Sequence, residues 1–504
     1  MRTRATMIRF GLLFAAVLVL LNLVGSRYHF RIDLTSDQRY TLSKATRDIL
    51  QNLPEAATIT GYFTEELPPD LAVARDEFRD LVVEYAERSG GNVVYEMIDP
   101  ASADSLEQQA RESGIRPLLV NTREKDKAEQ IKAFMGAVVR MGDQQSVIPV
   151  VQPGSPMEWE LSSRIKEVSV PEKPVVGIMQ GHGEPSVNAM AQAMQGLSIL
   201  YSVEPMTIYD TMPIHGRFRT IAIIDPADTI SPMALQRMEE FMARGGGVVI
   251  AYSNASADLQ RTPLVEPRHT GIDPWLARHG LRADPDLVTD AQCGQVQVMQ
   301  QRGFFNLQTA MAFPYFPRVT RFGEHPVSSG LEAVVLPFAR AFTATGDSTY
   351  RYSPLLSTSD RTGSATLPHE VDLQRQWSDA DFTQPPRNLA FAVEGPFGNG
   401  QGARLVVIGN GNFAVGAEGG QLNPDNINLL VNAVDWVSDQ TGLIDLRGKG
   451  VSYRPLEELS DAERSTLKWS NLLFPIALVI IGGVLRTQWR RRQRKARTAP
   501  GHVE

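Results

Sequence analysis

The sequence predicts an α/β protein in which two α/β domains lie between two transmembrane helices. Short apolar runs typical of strands alternate with helical patterns over residues 57–438, which indicates sheets covered by helices. Apolar runs with arginines on their outer flanks stand near both ends of the chain. The single cysteine, Cys293, excludes an internal disulfide, so apolar packing must hold the domains together.

The two apolar runs, 8–24 and 472–485, reach the length of a membrane span, about 17 to 25 residues, when their flanks are included. Arginines precede the first run and follow the second, and basic residues stay on the cytoplasmic side. We therefore expect a two-pass protein of the inner (cytoplasmic) membrane, with both termini cytoplasmic and the main body periplasmic. The alternative is a cleaved signal peptide ending near Val24 and Ser26, although the first run exceeds the usual apolar core of about 7 to 15 residues.

The charges of the chain are unevenly distributed. The tails hold ten of the 50 basic residues and one of the 57 acidic ones, which leaves 40 basic and 56 acidic residues in the stretch 27–470. A body this acidic repels nucleic acid, which excludes DNA or RNA as a partner. The basic C-terminal tail is a topology signal that can also contact anionic membrane lipid.

The predicted organisation has seven segments. In chain order they are a cytoplasmic tail with the first transmembrane helix (1–26), a stalk (27–56), a first α/β domain (57–170), a second α/β domain (171–442) with an insertion (about 255–400), a linker (443–468), a second transmembrane helix (469–489) and a basic cytoplasmic tail (490–504).

The first domain is expected to follow a stalk helix that is capped by Thr41 or Ser43 and ends before Pro54. Its order, β-α-β-α-β-β-α, is thioredoxin-like, but it has no Cys-x-x-Cys, which favours a scaffold or docking role over redox catalysis. The predicted elements are strands 57–63 and 93–98, helices 70–89 and 102–113, a hairpin of 133–141 with 146–151, and a helix 158–168.

The second domain is expected to be a parallel sheet of the flavodoxin or amidotransferase type, because its strands are almost wholly apolar. Residues 255–400 have broken periodicity and predict an insertion that contains β structure with mobile loops. The other predicted elements are strands 174–179, 202–207, 220–224, 248–251 and 404–409, and helices 186–200, 231–244 and 426–438.

Candidate binding residues follow the strands of the second domain, where open α/β sheets place their ligand crevices. Gly181-His182-Gly183-Glu184 comes directly after the first strand; His182 could act as a base oriented by Glu184, or both could contact a ligand. The structural alternative is a tight turn that needs its glycines, with Glu184 near a helix start. For this motif we favour a structural role over a catalytic one. A role in binding a ligand or partner ranks between these two.

Three further candidates lie in similar positions. Asp225 ends a strand and could bind a cation, although an acidic residue before a helix is usually a cap. Asn410 and Asn412 lie in a Gly-Asn-Gly-Asn loop that lacks the Gly-Lys-Ser/Thr of a nucleotide site, so a turn at the sheet edge is the simpler interpretation.

No catalytic residue, metal ligand or cofactor is assigned. Cys293 lies in the irregular insertion, without the strand-to-helix turn that presents a nucleophilic cysteine. The histidines lack zinc-site spacing, which does not support a metal site.

Several blocks taken together resemble the GldG family, auxiliary components of ABC-type transport systems that are associated in some bacteria with gliding motility. The resemblance extends from the first apolar run to the basic tail. The blocks are Arg39-Tyr40-Thr41-Leu42-Ser43, Tyr95-Glu96 with Asp99-Pro100, Gly181-His182-Gly183-Glu184, Ile224-Asp225-Pro226 with Arg244-Gly245-Gly246, Val407-Ile408-Gly409 with Asn412-Phe413, and Asn432-Ala433-Val434-Asp435-Trp436.

The resemblance implies a non-enzymatic periplasmic domain pair beside an ABC permease and a cytoplasmic ATPase, both separate chains, and it implies no catalytic residues. Two alternatives remain open. One is an exported hydrolytic or amidotransferase-like α/β enzyme using His182, Glu184 and Asp225. The other is a glycan-binding envelope protein using the aromatic segment from Phe313 to Phe316, which is more typical of a core.

Overall fold

The computed structural model describes residues 41–438, except 125–126, 171, 260, 303–304, 399, 401 and 417–421, and some positions on either side, which include 468–471 and 486–491. By its internal contacts the chain divides into two units, Met1–Ser452 and Tyr453–Glu504. The α-helices of the described range are α1 Lys44–Gln51, α2 Pro69–Arg88, α3 Asp104–Glu112, α4 Met157–Ser169, α5 Ala191–Leu197, α6 Pro232–Ala243, α7 Ile272–Arg278 and α8 Pro424–Ser438.

The strands make this a mixed α/β protein with several sheets. They are β1 Ala57–Phe63, β2 Val93–Ile98, β3 Leu118–Glu124, β4 Lys127–Ala133, β5 Met135–Met141, β6 Gln144–Ile148, β7 Val175–Met179, β8 Ser202–Met206, β9 Phe218–Ile224, β10 Gly247–Ala251, β11 Ala255–Ser256, β12 Leu264–Pro267, β13 Leu281–Asp290, β14 Cys293–Arg302, β15 Phe305–Val319, β16 Arg321–Phe322, β17 Val334–Val335, β18 Arg340–Ala344, β19 Arg351–Ser357, β20 Thr362–Ala365, β21 His369–Glu370, β22 Asn388–Gly395 and β23 Ala403–Ile408.

The N-terminal region of the described chain forms a four-stranded sheet in the order β2-β1-β5-β6. Strand β1 runs parallel to β2 and antiparallel to β5, and Gly142 takes a φ of 53° in the two-residue turn before β6. Helices α1, α2 and α4 bury their apolar residues on this sheet. The predicted elements are present here, with α1 capped by the Ser43 hydroxyl, which accepts a hydrogen bond from the Thr46 N–H.

The hairpin of β3 and β4 is an addition to the predicted order. Its residues are largely polar and do not alternate cleanly with apolar ones, so the local pattern carries no strand signal there.

The second sheet contains eleven strands, and its central path is β20-β13-β18-β22-β23-β10-β9-β7-β8. Strands β8, β7, β9, β10 and β23 are mutually parallel, as predicted. Side chains of a strand alternate between faces, so Ile221 and Ile223 join the core with α6 and α7, while Ala222 and Ile224 join the core with α5 and α8. The sheet is buried on both faces.

The stretch 255–400 contributes more to this sheet than its broken periodicity indicated. Strands β13, β18, β19, β20 and β22 all come from it, and they extend the parallel strands with antiparallel ones. The predicted insertion therefore supplies about half of the strands of the main sheet.

Within the described residues, no helix has both the length and the apolar character that a membrane crossing requires. The first predicted span lies outside those residues except for Leu13 and Phe14, and the second is described only in part.

Candidate functional site

The predicted site residues meet at one edge of the second sheet. Five parallel strands there have the order β8-β7-β9-β10-β23. The chain adds β8 on one side of β7 and then β9, β10 and β23 on the other side, so the strand order reverses between β7 and β9. Ligands of open α/β sheets bind beside the carboxyl ends of strands at such a reversal. The loops that follow β7, β9, β10 and β23 all lie at this carboxyl edge, and they contain Gly181–Glu184, Asp225, Asn410 and Asn412.

The Gly181–Glu184 loop closes on itself. Gly181 and Gly183 have φ values of 117° and 77°, a region that favours glycine. The Glu184 carboxylate accepts a 2.7 Å hydrogen bond from the His182 N–H. This geometry agrees with the structural interpretation of the motif as a tight turn.

The loop is also attached to the loop after β9. The His182 carbonyl accepts hydrogen bonds of 2.9 and 2.8 Å from the N–H groups of Ala227 and Asp228. A methyl group on Gly183 would stand 2.7 Å from the Ala227 Cβ, so only glycine fits this close approach. The crevice at the strand reversal is therefore narrowed by direct backbone contact.

Two polar atoms of the loop are left for a ligand or a water molecule. His182 Nδ1 lies 3.7 Å from Glu184 Oε1, beyond hydrogen-bond distance, and both atoms are buried without a hydrogen-bond partner among the described residues. The Glu184 side chain is only 1% exposed, whereas His182 is 17% exposed. A hydroxyl or water that bridged the two atoms would satisfy both, and the imidazole is the group that solvent reaches.

Asp225 is held in a rare backbone conformation, with a φ of 47°. Its N–H donates to the Ala251 carbonyl at 2.8 Å, and its carboxylate forms a 2.8 Å ion pair with Arg268. Burial raises the pKa of Asp225, against the opposing effects of Arg268 and a hydrogen bond from Ser253. Because the carboxylate is already paired, it does not form an open cation site.

The two asparagines have different environments. Asn410 is 1% exposed, and its amide donates to the Pro337 carbonyl, so it points into the protein. Asn412 is exposed at the start of a short 3₁₀ helix, Asn412–Ala414. Of the predicted binding residues, His182 and Asn412 offer side-chain surface to a partner.

Two residues of this edge were missed by the sequence reasoning. The Ser253 hydroxyl, just after β10, accepts a 3.0 Å hydrogen bond from the Gly411 N–H and also bonds Asp225. Arg268 pairs with Asp225 from 43 residues further along the chain. Ser253 could have been found from its place after a buried strand, but nothing local marks Arg268.

Three other kinds of site have little support: a nucleophilic Cys293, a glycan site at Phe313 to Phe316, and a metal site. Cys293 begins strand β14 and is half-buried, and burial raises the pKa of its thiol, which disfavours the reactive thiolate. Phe313 and Tyr315 are 2% and 1% exposed, as core residues are. Among the residues that the structure describes, no three His, Cys, Asp or Glu side chains come together as metal ligands would.

Comparisons with known proteins give the family. A family model described as "ABC-type uncharacterized transport system" matches residues 173–439, and one described as "Domain of unknown function (DUF7088)" matches residues 36–140. An uncharacterized protein of Borreliella burgdorferi is 20% identical over 264 residues, which is 52% of each chain, so this chain matches about half the length of that relative.

Among solved structures, the N-terminal domain of mmIFT52 aligns with 12% identity and a TM-score of 0.35, over 52% of this chain and 97% of that one. A ThuA-like protein of Parabacteroides merdae aligns with 13% identity and a TM-score of 0.29, over 57% and 94%. The transport-system model covers more than half of the sequence. This chain therefore belongs to the ABC-type uncharacterized transport system family, a family of transport auxiliary proteins.

Proposed function

We propose that this protein is a non-enzymatic auxiliary subunit of an ABC-type transport system that binds substrate or a partner on the extracytoplasmic side of the membrane. In this proposal it is of the GldG type, anchored by both terminal spans, and it works beside an ABC permease and a cytoplasmic ATPase that are separate chains. The family match supports the transport-associated role.

The observation that supports binding over catalysis is the burial of the two carboxylates at the carboxyl edge, Asp225 and Glu184. Asp225 is engaged by Arg268, and one Glu184 oxygen is bound to its own loop. A general base needs access to the proton that it takes, whereas these carboxylates are buried within the fold. The exposed Asn412 and the partly exposed His182 are suited to contact.

Co-expression with an ABC permease and an ATPase from the same organism tests the assembly. Purification in a mild detergent through a tag on this chain should recover both partners in fixed stoichiometry. Recovery of this chain without either partner, under conditions that keep the permease and ATPase together, would contradict the proposal.

The double variant His182→Ala, Glu184→Ala separates assembly from catalysis. An enzyme that used this pair would lose turnover, whereas an auxiliary subunit should still recover its partners. Asn412→Ala on the same edge is the companion variant, because it removes an exposed amide without changing a buried group.

Extracytoplasmic location is tested separately. In a Cys293→Ser background, Asn412→Cys places one exposed thiol on the second domain. A membrane-impermeant maleimide should label this thiol in intact spheroplasts to the same extent as after lysis. Labelling only after lysis would contradict the proposed location.

A further inference from the structure

A groove lies between helix α4 and the second sheet domain, away from the carboxyl-edge residues. It consists of two cavities of about 310 and 120 Å³. Trp159, Glu160 and Ile199 line both cavities, so the two belong to the same site. Small-molecule ligands usually bind in concave sites of this kind.

Glu160 is the unusual residue of this groove. Its Oε2 is buried and has no hydrogen-bond partner among the described residues. The surrounding wall includes Leu331, Ile427 and Val431, which offer it no compensation. An unpaired carboxylate in such surroundings is unfavourable, and burial accordingly raises the pKa of Glu160 to about 7.

Burial raises the pKa of Glu160 more than Arg164, the other charged residue that lines the cavities, lowers it by charge attraction, and Glu160 Oε2 still has no hydrogen-bond partner among the described residues. Arg164 lines the smaller cavity, and its guanidinium donates to Glu167 at 3.1 Å. Glu167 in turn accepts from Lys173 at 2.8 Å and from the Ser146 hydroxyl at 2.6 Å. Arg164 is thus held in a separate network, and Glu160 retains an unused acceptor.

A cation is the ligand class that these features favour. The Glu160 carboxylate repels anions and accepts strong hydrogen bonds from an ammonium group. The Trp159 indole adds an aromatic ring, which attracts cations, and the aliphatic wall accommodates a short alkyl chain. We propose that the groove binds a small organic amine in its ammonium form, with the ammonium on Glu160 and the carbon chain against Ile199 and Leu331.

The size of the groove limits the ligand. A cavity of about 150 Å³ holds a molecule as large as benzene. The larger cavity, at about 310 Å³, therefore has room for roughly a dozen non-hydrogen atoms. Butylammonium fits within this limit and serves as the probe.

Calorimetric titration of the full chain in mild detergent tests the site at pH 8. Butylammonium should bind at least ten-fold more tightly than 1-pentanol, which has a similar length without the charge. Glu160→Gln should weaken butylammonium binding by roughly ten- to a hundred-fold, as expected for loss of a charge-assisted hydrogen bond. Glu172→Gln, which removes an exposed charge from the segment after α4, should leave the affinity within two-fold.

A second variant tests the groove without changing its charge. Ile199→Trp should fill the space shared by the two cavities and abolish butylammonium binding, while the circular dichroism spectrum stays that of the unaltered chain. Equal binding of butylammonium and 1-pentanol would overturn the proposal. So would full affinity in the Glu160→Gln variant, or no butylammonium binding at millimolar concentration.

Discussion

The Thr46 hydroxyl donates a 2.7 Å hydrogen bond to the buried carboxylate of Glu158, 112 residues further along the chain. The same carboxylate oxygen accepts a 2.7 Å hydrogen bond from the Ser43 N–H. Ser162 and Tyr85 complete this network, with their hydroxyl groups 2.6 Å apart. Helix α1, the predicted stalk helix, is thereby attached to α4, the helix that carries Glu160 of the groove.

Thr46→Val should destabilise the protein by about 1 to 3 kcal/mol, because it removes a donor from a buried carboxylate without changing the volume of the side chain. Urea unfolding of the full chain in mild detergent measures the change. The same substitution at Thr58, an exposed position on β1, is the control and should change stability by less than about 0.5 kcal/mol. Equal effects at the two sites would show that the network does not stabilise α1.

Asp273→Ala should destabilise the protein by about 1 to 3 kcal/mol, since Arg340 is buried although the Asp273 side chain is itself 50% exposed. Asp273 receives two 2.9 Å hydrogen bonds from Arg340, whose side chain is 2% exposed, so the substitution leaves a buried guanidinium without its counter-charge. The surface pair of Arg321 and Asp360 has the same two-bond geometry.

That surface pair provides the matched control. The Arg321 and Asp360 side chains are 50% and 73% exposed, so Asp360→Ala should change stability by less than about 1 kcal/mol. Urea denaturation of both variants gives the comparison. A similar loss in the two variants would show that burial does not determine the effect of the Arg340 pair.

Gly183→Ala should destabilise the protein by about 2 to 4 kcal/mol, because the added methyl group meets Ala227 and the residue must keep a φ of 77°. Gly90→Ala is the control, since Gly90 has a φ of 65° and open space around it, and should lose only about 1 kcal/mol. Thermal unfolding distinguishes the two. If both variants lose the same stability, the close contact between the loops after β7 and β9 has no energetic importance.

Glu160 should make the folded state less stable as the pH rises. Burial raises the pKa of Glu160 in the folded protein from 4.5 to about 7, so the folded state binds this proton more tightly than the unfolded state. Its stabilising contribution is fully present below about pH 4.5 and is lost as the pH rises through about 7. At about 1.4 kcal/mol per pKa unit, the whole effect is roughly 3 kcal/mol.

The comparison of two proteins at two pH values isolates this effect. Between pH 5 and pH 8, without an amine present, the unaltered chain should lose about 2 to 3 kcal/mol more stability than the Glu160→Gln variant. Urea unfolding at each pH gives the four free energies. Parallel pH profiles for the two proteins would mean that the Glu160 carboxyl titrates as an ordinary exposed group.

Local patterns were sufficient for most elements of the four-stranded sheet and of the parallel part of the eleven-stranded sheet. The Ser43 hydroxyl caps α1 and Ser231 caps α6, as short-range hydrogen bonding predicts. The exception is the stretch 255–400, where the strands of the main sheet could not be recognised. Strand β13 shows the reason, because it pairs with β18 through an irregular register and carries Asp284, Pro285 and Asp286 in its middle.

The candidate site, too, could be predicted from the sequence only in part. The sequence placed Gly181–Glu184, Asp225 and Asn410 each after a strand of the second domain, and the parallel order of β7, β9 and β23 brings these loops to one edge of the sheet. The sequence did not show which of these side chains are exposed. Burial of Asn410 and exposure of Asn412 depend on packing against Pro337 and its neighbours, which are distant in sequence.

The alternation of strands and helices, the caps, the glycine turns and the parallel core follow from the local sequence, because periodicity, side-chain hydrogen bonding to nearby backbone and glycine conformation act over a few residues. Three features required the folded structure: Arg268 pairs with Asp225, about half of the strands of the main sheet come from residues 255–400, and Glu160 Oε2 faces a groove without a hydrogen-bond partner among the described residues. Those features depend on which distant segments pack together. The free energy that favours this packing comes from contacts throughout the core, so no single position in the sequence indicates it.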